Sequence, residues 1–198
     1  MPVPVMILIT LDLEKTPSMR FSKNLVKIKY IQHIQSDLIS CDAKRIDLKI
    51  DFLNQSYVFQ LIAFWQVFIE DLAGYGFKKI EKSENSKVFK NIAKARLDEA
   101  LKKFNTPNVE NINKLFKDTL GVENTTTHWK SKNLTNQQAA LTLAELLKAR
   151  HQIAHTGRST NKLSYKNNFE KMEILMEMAV LTEKAIINEL ESALGTKQ

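Results

Sequence analysis

The run Tyr57-Val58-Phe59-Gln60-Leu61-Ile62-Ala63-Phe64-Trp65-Gln66-Val67-Phe68-Ile69 is apolar on nearly every side of any helix it forms. A helix of that kind is central and covered from several directions. Its β-branched and aromatic residues would also suit a strand, but the run is too long for one. Turn chemistry points the same way. Only 5 glycines and 4 prolines occur in 198 residues, whereas turn-rich β architectures need many of both. The chain is therefore expected to be all-α.

Leu25, Ile28, Ile31, Ile34 and Leu38, at spacings of three and four, predict an amphipathic helix over residues 23–40. The central helix is expected from about Ala43 to Ala73, with Gly74-Tyr75-Gly76 ending or bending it. A mostly polar helix over residues 86–104 uses Val88, Ile92, Leu97 and Leu101 as its stripe. After the break at Thr106-Pro107-Asn108, a short helix spans about Val109 to Leu120 and stops at Gly121. A polar loop, Val122 to Leu134, leads to Thr135-Asn136-Gln137-Gln138, which has the form of a capping box. The fifth helix runs from there to about His155, with Gly157 where a C-terminal cap belongs. A polar connection to Lys166 precedes the last helix, about Asn167 to Leu194. The expectation is one domain over residues 23–194, a bundle of five to six helices, with a short tail at 195–198. Residues 1–22 read as an apolar arm, strand-like, packing on the body or on a partner. Its unbroken apolar run is shorter than the roughly 20 residues that span a bilayer, and no basic leader precedes it. No membrane partner is expected.

The single cysteine, Cys41, rules out an intrachain disulfide and suits a reducing, cytoplasmic compartment. Two glycosylation sequons, at Asn124 and Asn133, then read as chance matches. The formal charge of +7 suits an anionic partner, nucleic acid above all. The densest basic stretch, Lys78 to Lys103, reads as a solvated helix face, because Glu81, Glu84, Asp98 and Glu99 are interspersed in it.

One segment resists an ordinary explanation: Leu147-Lys148-Ala149-Arg150-His151-Gln152-Ile153-Ala154-His155-Thr156-Gly157. His151 and His155 are four apart and share a helix face, with Arg150 beside them. Three readings are open. Two histidines at this spacing begin a zinc site, and the segment mimics the metalloprotease pattern His-Glu-x-x-His. Gln152 stands at the glutamate position and cannot act as a base, which excludes that protease mechanism. Metal-free RNA cleavage is the second. It needs a base for the 2′-hydroxyl proton, an acid for the departing 5′-oxygen and a cation for the phosphorane, and histidine with arginine supplies all three. The third is purely structural: Arg150 pairs with a carboxylate, and the histidines settle against the negative end of the helix dipole.

The pattern Arg150-x-x-x-x-His155, near the end of a late helix in a small α-bundle, resembles the HEPN superfamily. Arg-His-Gln-Ile-Ala-His-Thr-Gly is most similar to the RiboL-PSP-HEPN group and a neighbouring HEPN group. Phe64-Trp65-Gln66-Val67-Phe68-Ile69-Glu70-Asp71-Leu72 resembles the aromatic and acidic stretch of their earlier core helix. The resemblance covers roughly residues 23–194. It implies a homodimer whose motif helices meet at the dyad, and a metal-independent endoribonuclease of a toxin–antitoxin, abortive-infection or CRISPR system. No cofactor or metal is implied. Carried over by position, Arg150 binds the scissile phosphate and His155 transfers protons. His151 orients Arg150 or shares proton transfer, and Glu70 is a candidate brace for Arg150 or His151. Glu70 also reads as an acidic residue at the solvated end of a core helix. RNA and an antitoxin or regulatory protein are the implied partners. Gly157 stands where HEPN toxins paired with a nucleotidyltransferase carry a tyrosine, which argues against a partner of that type. Some HEPN domains only bind, so the alternative is a non-catalytic helical adaptor or interaction module.

The remaining singular residues have structural readings. Trp129, in the polar loop beside His128, is expected to tuck into the core rather than stack on a base. His33 reads as a surface histidine, Cys41 as a small helix-end residue, and Met172, Met176 and Met178 as an adaptable packing face.

Overall fold

The computed structural model describes residues 16–195. The expected N-terminal arm falls outside them up to position 15, as do the last three residues. Six α-helices follow in order: α1 (Pro17–Ser40), α2 (Ile46–Lys82), α3 (Lys87–Lys103), α4 (Val109–Leu120), α5 (Asn136–Thr156) and α6 (Tyr165–Ala193). One turn of 3-10 helix, Thr125–His128, interrupts the α4–α5 loop. No strand occurs among the described residues, so the all-α bundle expected from the sequence is the fold.

Helix α2 is the axis, touching α1, α3, α4, α5 and α6. Trp65 lies at its centre, fully buried. Phe21 of α1 and Trp129 of the α4–α5 loop meet its ring edge-on at 6.0 and 6.2 Å between centroids. Offset and edge-to-face contacts of this kind add about 0.5–1.5 kcal/mol per pair beyond the area they bury. Trp129 is in the core, as its type suggested. Its indole N–H donates to Thr182 Oγ1 at 2.8 Å, and Thr182 donates in turn to the Met178 carbonyl. Met172 and Met178 are buried in α6, as a packing face requires.

Two boundaries differ from the sequence reading. Helix α1 begins at Pro17, because Thr16 caps it through Met19 N and proline is pre-set for the first helical position. Helix α2 does not end at Gly74-Tyr75-Gly76 but continues to Lys82. Gly76 is there for close approach: a Cβ on it would lie 2.6 Å from Leu120 Cδ1. Phe77 and Ile80 extend the buried face beyond it. The other caps are as expected. Gly121 and Gly157 take φ of 73° and 74° at the ends of α4 and α5, and the Thr135–Gln138 capping box is formed in full.

A buried polar network fixes one end of the bundle. Gln35 of α1 donates to Asn54 Oδ1 of α2, Asn54 Nδ2 donates to the Leu163 carbonyl, and Asn168 of α6 donates to the Asn54 carbonyl. These three hydrogen bonds tie α1, α2, α6 and the α5–α6 connection to one another. No helix among the described residues is long and apolar enough to cross a membrane.

Candidate functional site

Helix α5 buries Ala139, Leu143 and Leu146 in its first three turns. From Leu147 to Lys162 no residue is buried. The motif therefore stands on a projecting helix end, held by its apolar base and by Ala149 and Ile153, which pack against the core from half-buried positions. His151 and His155 are exposed, one turn apart, with ring centroids 4.3 Å apart and planes at 53°. Arg150 is half-buried. Its guanidinium lies over the ring of Phe59 of α2, with Cζ 5.6 Å from the centroid. The expected pairing of Arg150 with a carboxylate is not made within the described residues. A cation held on a ring face keeps its N–H fork for another acceptor.

Gln152 is the fourth side chain of this end, and it faces the α5–α6 connection. Its Oε1 accepts from Thr160 Oγ1 at 3.0 Å and from the Thr160 amide at 3.3 Å. The Thr156 hydroxyl lies 2.8 Å from the Gln152 carbonyl and 2.9 Å from that of Arg158. Among the described residues no third His, Cys, Asp or Glu joins the two histidines.

Glu70 is elsewhere. It follows Phe59 by eleven positions on α2, a rise of about 16 Å, and its carboxylate accepts from Gln66 Nε2 at 2.9 Å. Gln66 also donates to the Phe104 carbonyl, so this part of α2 faces the end of α3. Within one chain Glu70 braces neither Arg150 nor His151. Asp71 points a different way again and pairs with Arg20 at 2.7 Å.

Phe59 went unmarked in the sequence because nothing in spacing connects position 59 to position 150. A second signal was present in the sequence. Residues 146–169 form the longest stretch free of Asp and Glu, and they carry Lys148, Arg150, Arg158, Lys162 and Lys166. Some lysines elsewhere face carboxylates: Lys79 with Glu191, Lys103 with Glu99, Lys117 with Glu123, Lys171 with Glu145. Lys148, Arg158, Lys162 and Lys166 are exposed in a stretch with no carboxylate of its own, a surface suited to an anion.

No curated protein and no solved structure is matched by this chain. The family model for RiboL-PSP-HEPN matches residues 22–190, which covers all six helices but for their outermost ends. The chain belongs to the RiboL-PSP-HEPN family.

Proposed function

We propose that this protein is a metal-independent endoribonuclease, acting as a homodimer in a toxin or defence system. The observation that carries the reading is the trio at the end of α5 in a HEPN-family chain: His151 and His155 exposed one turn apart, and half-buried Arg150 held over Phe59 beside them. In the reaction the RNA 2′-oxygen attacks the adjacent phosphorus and the bond to the 5′-oxygen breaks. The products are a 2′,3′-cyclic phosphate and a 5′-hydroxyl. His155 takes the 2′-hydroxyl proton, and His155 of the partner subunit gives one to the leaving oxygen. Arg150, steadied by Phe59, offers its fork to the non-bridging phosphate oxygens. His151 holds the neighbouring imidazole or shares its proton.

Two further features support the reading. Leu48 and Phe52 are 68% and 69% exposed. They lie on the same face of α2 as Phe59, at spacings of four and seven, so an apolar strip, interrupted by Gln55 and Ser56, runs toward Arg150. A strip of that kind suits a self-complementary two-fold interface. The charge of +7 suits RNA, and would equally draw an acidic antitoxin.

The test is cleavage of varied single-stranded RNAs in excess chelator, with helicity and dimer mass checked for each variant. Wild type cleaves; His155→Ala and Arg150→Ala each lose about 10²–10⁴ in rate. Cleavage unchanged in both folded variants refutes the site. No cleavage by wild type on any RNA turns the reading to a binding module that uses the same dimer face.

A further inference from the structure

The α5–α6 connection, residues 157–164, is a loop without secondary structure of its own, yet it is fastened at three points. Thr160 is bound twice by Gln152. The Leu163 carbonyl accepts from Asn54 in the core, and Leu163 itself is buried. Gly157 closes α5 with its amide on the Ile153 carbonyl, and Thr156 bridges to the Arg158 carbonyl. Such fastening has a cost in loop entropy, and the segment it orders is polar and exposed, with little apolar burial to offset that cost. What it presents is charge. Arg158 and Lys162 are exposed, flank the Gln152–Thr160 latch, and form no ion pair among the described residues. Arg158 follows the cap residue Gly157, and α5 rises about 9 Å from Arg150 to its last residue, Thr156.

We infer that Arg158 and Lys162 form a second phosphate-binding subsite, gripping RNA phosphates beside the scissile one, and that Gln152 is the positioning residue that holds this loop in place. The inference rests on the nuclease reading of the α5 end. Arg150 handles one phosphate at the reacting centre. A strand crossing that point continues over the loop, and its next phosphates meet two cations on a pre-ordered backbone. Pre-ordering matters because cations on an ordered loop lose less conformational freedom on binding. Gln152 takes part through its amide oxygen alone, which accepts both Thr160 bonds.

The test uses the full-length chain and a fluorescein-labelled single-stranded RNA of about 20 nucleotides with 2′-O-methyl riboses, which has no nucleophile and stays intact. Its Kd is measured over a series of salt concentrations. Removing two phosphate contacts lowers the slope of log Kd against log salt by about 1.4, at about 0.7 per contact on a single strand. Arg158→Ala with Lys162→Ala is expected to show this loss, and Arg158→Lys with Lys162→Arg to keep the wild-type slope. Gln152→Leu leaves the charge unchanged yet is expected to weaken binding, because it removes the acceptor of both Thr160 bonds. On cleavable RNA the double alanine variant raises KM with kcat nearly unchanged. A matched pair of remote cations, Lys87→Ala with Arg96→Ala, is the control. An equal loss of slope in that control shows long-range attraction alone and overturns the subsite. Cleavage by wild type with an unchanged slope in the double variant also overturns the subsite while the nuclease reading stands. No RNA binding by wild type overturns both.

Discussion

Gly74 and Gly76 lie one turn short of the last stretch of α2, two residues apart in sequence and on different faces of the helix. Alanine at either site gains the same local advantage, about 0.5–1 kcal/mol, because glycine loses more backbone freedom in a helix. The surroundings then separate them. A Cβ on Gly74 meets nothing within 4 Å, so Gly74→Ala is expected to stabilise by that full amount. On Gly76 it would lie 2.6 Å from Leu120 Cδ1 and 3.2 Å from both Leu120 Cδ2 and Leu190 Cδ1. Carbon atoms pack best at about 3.5–4.0 Å, so one methyl must retreat by about 1 Å. Leu120 and Leu190 are both buried, 9% and 3% exposed, so the retreating methyl has to move within a packed core. Overpacking of that order costs about 1–3 kcal/mol, so Gly76→Ala is net destabilising by up to about 2 kcal/mol. The two variants should differ by about 1–3 kcal/mol, or several degrees in Tm at about 2–4 °C per kcal/mol for a chain of this size. Urea unfolding followed by helical circular dichroism measures both. Leu120→Ala should be less damaging in the Gly76→Ala background than in the wild-type chain, since the added methyl partly fills the cavity it opens. Equal, stabilising effects at both glycines would refute the reasoning and return Gly76 to the role of an ordinary helix interruption.

Thr182→Val keeps the shape of the side chain but leaves the buried Trp129 N–H without its acceptor; a loss of about 1–3 kcal/mol in urea unfolding is expected, and a neutral result would deny the hydrogen bond its role. Burial pushes the Tyr57 hydroxyl well above the ordinary tyrosine range, assisted by Tyr165 and Glu173. The unfolded chain therefore releases this proton first, and stability falls by about 1.4 kcal/mol per pH unit above roughly pH 10; Tyr57→Phe should flatten that part of the pH–stability profile, and an unchanged slope would contradict it. Glu70→Gln is expected to leave RNA cleavage within about threefold of wild type, because Glu70 lies about 16 Å along α2 from the residue that carries Arg150. A loss as large as that of Arg150→Ala would instead bring Glu70 to the site from the partner subunit.

What the sequence made legible follows from the range of each force involved. The caps at Gly121, Thr135 and Gly157 were readable because the residues that make them lie within one turn of the helix ends they close. The central position of α2 was readable because an apolar run without a polar face has to be covered. Gly76 was misread because its reason lies on α4 and α6, in Leu120 and Leu190, where no local pattern reaches. The site divides in the same way. Arg150, His151 and His155 declared themselves by spacing along one helix. Phe59, which holds Arg150, could not, since its proximity is a product of how α5 crosses α2. Glu70 attracted attention through family likeness in a core helix, and the rise of that helix then separates it from the arginine. The carboxylate-free run over residues 146–169 is the intermediate case. Its charge was visible in one dimension, but the fasteners that turn it into a surface, Gln152 on Thr160 and Asn54 on Leu163, include one that spans 109 positions and needed the fold. Residues that supply chemistry can thus be local and readable, while those that aim them are recruited from wherever packing brings a side chain near.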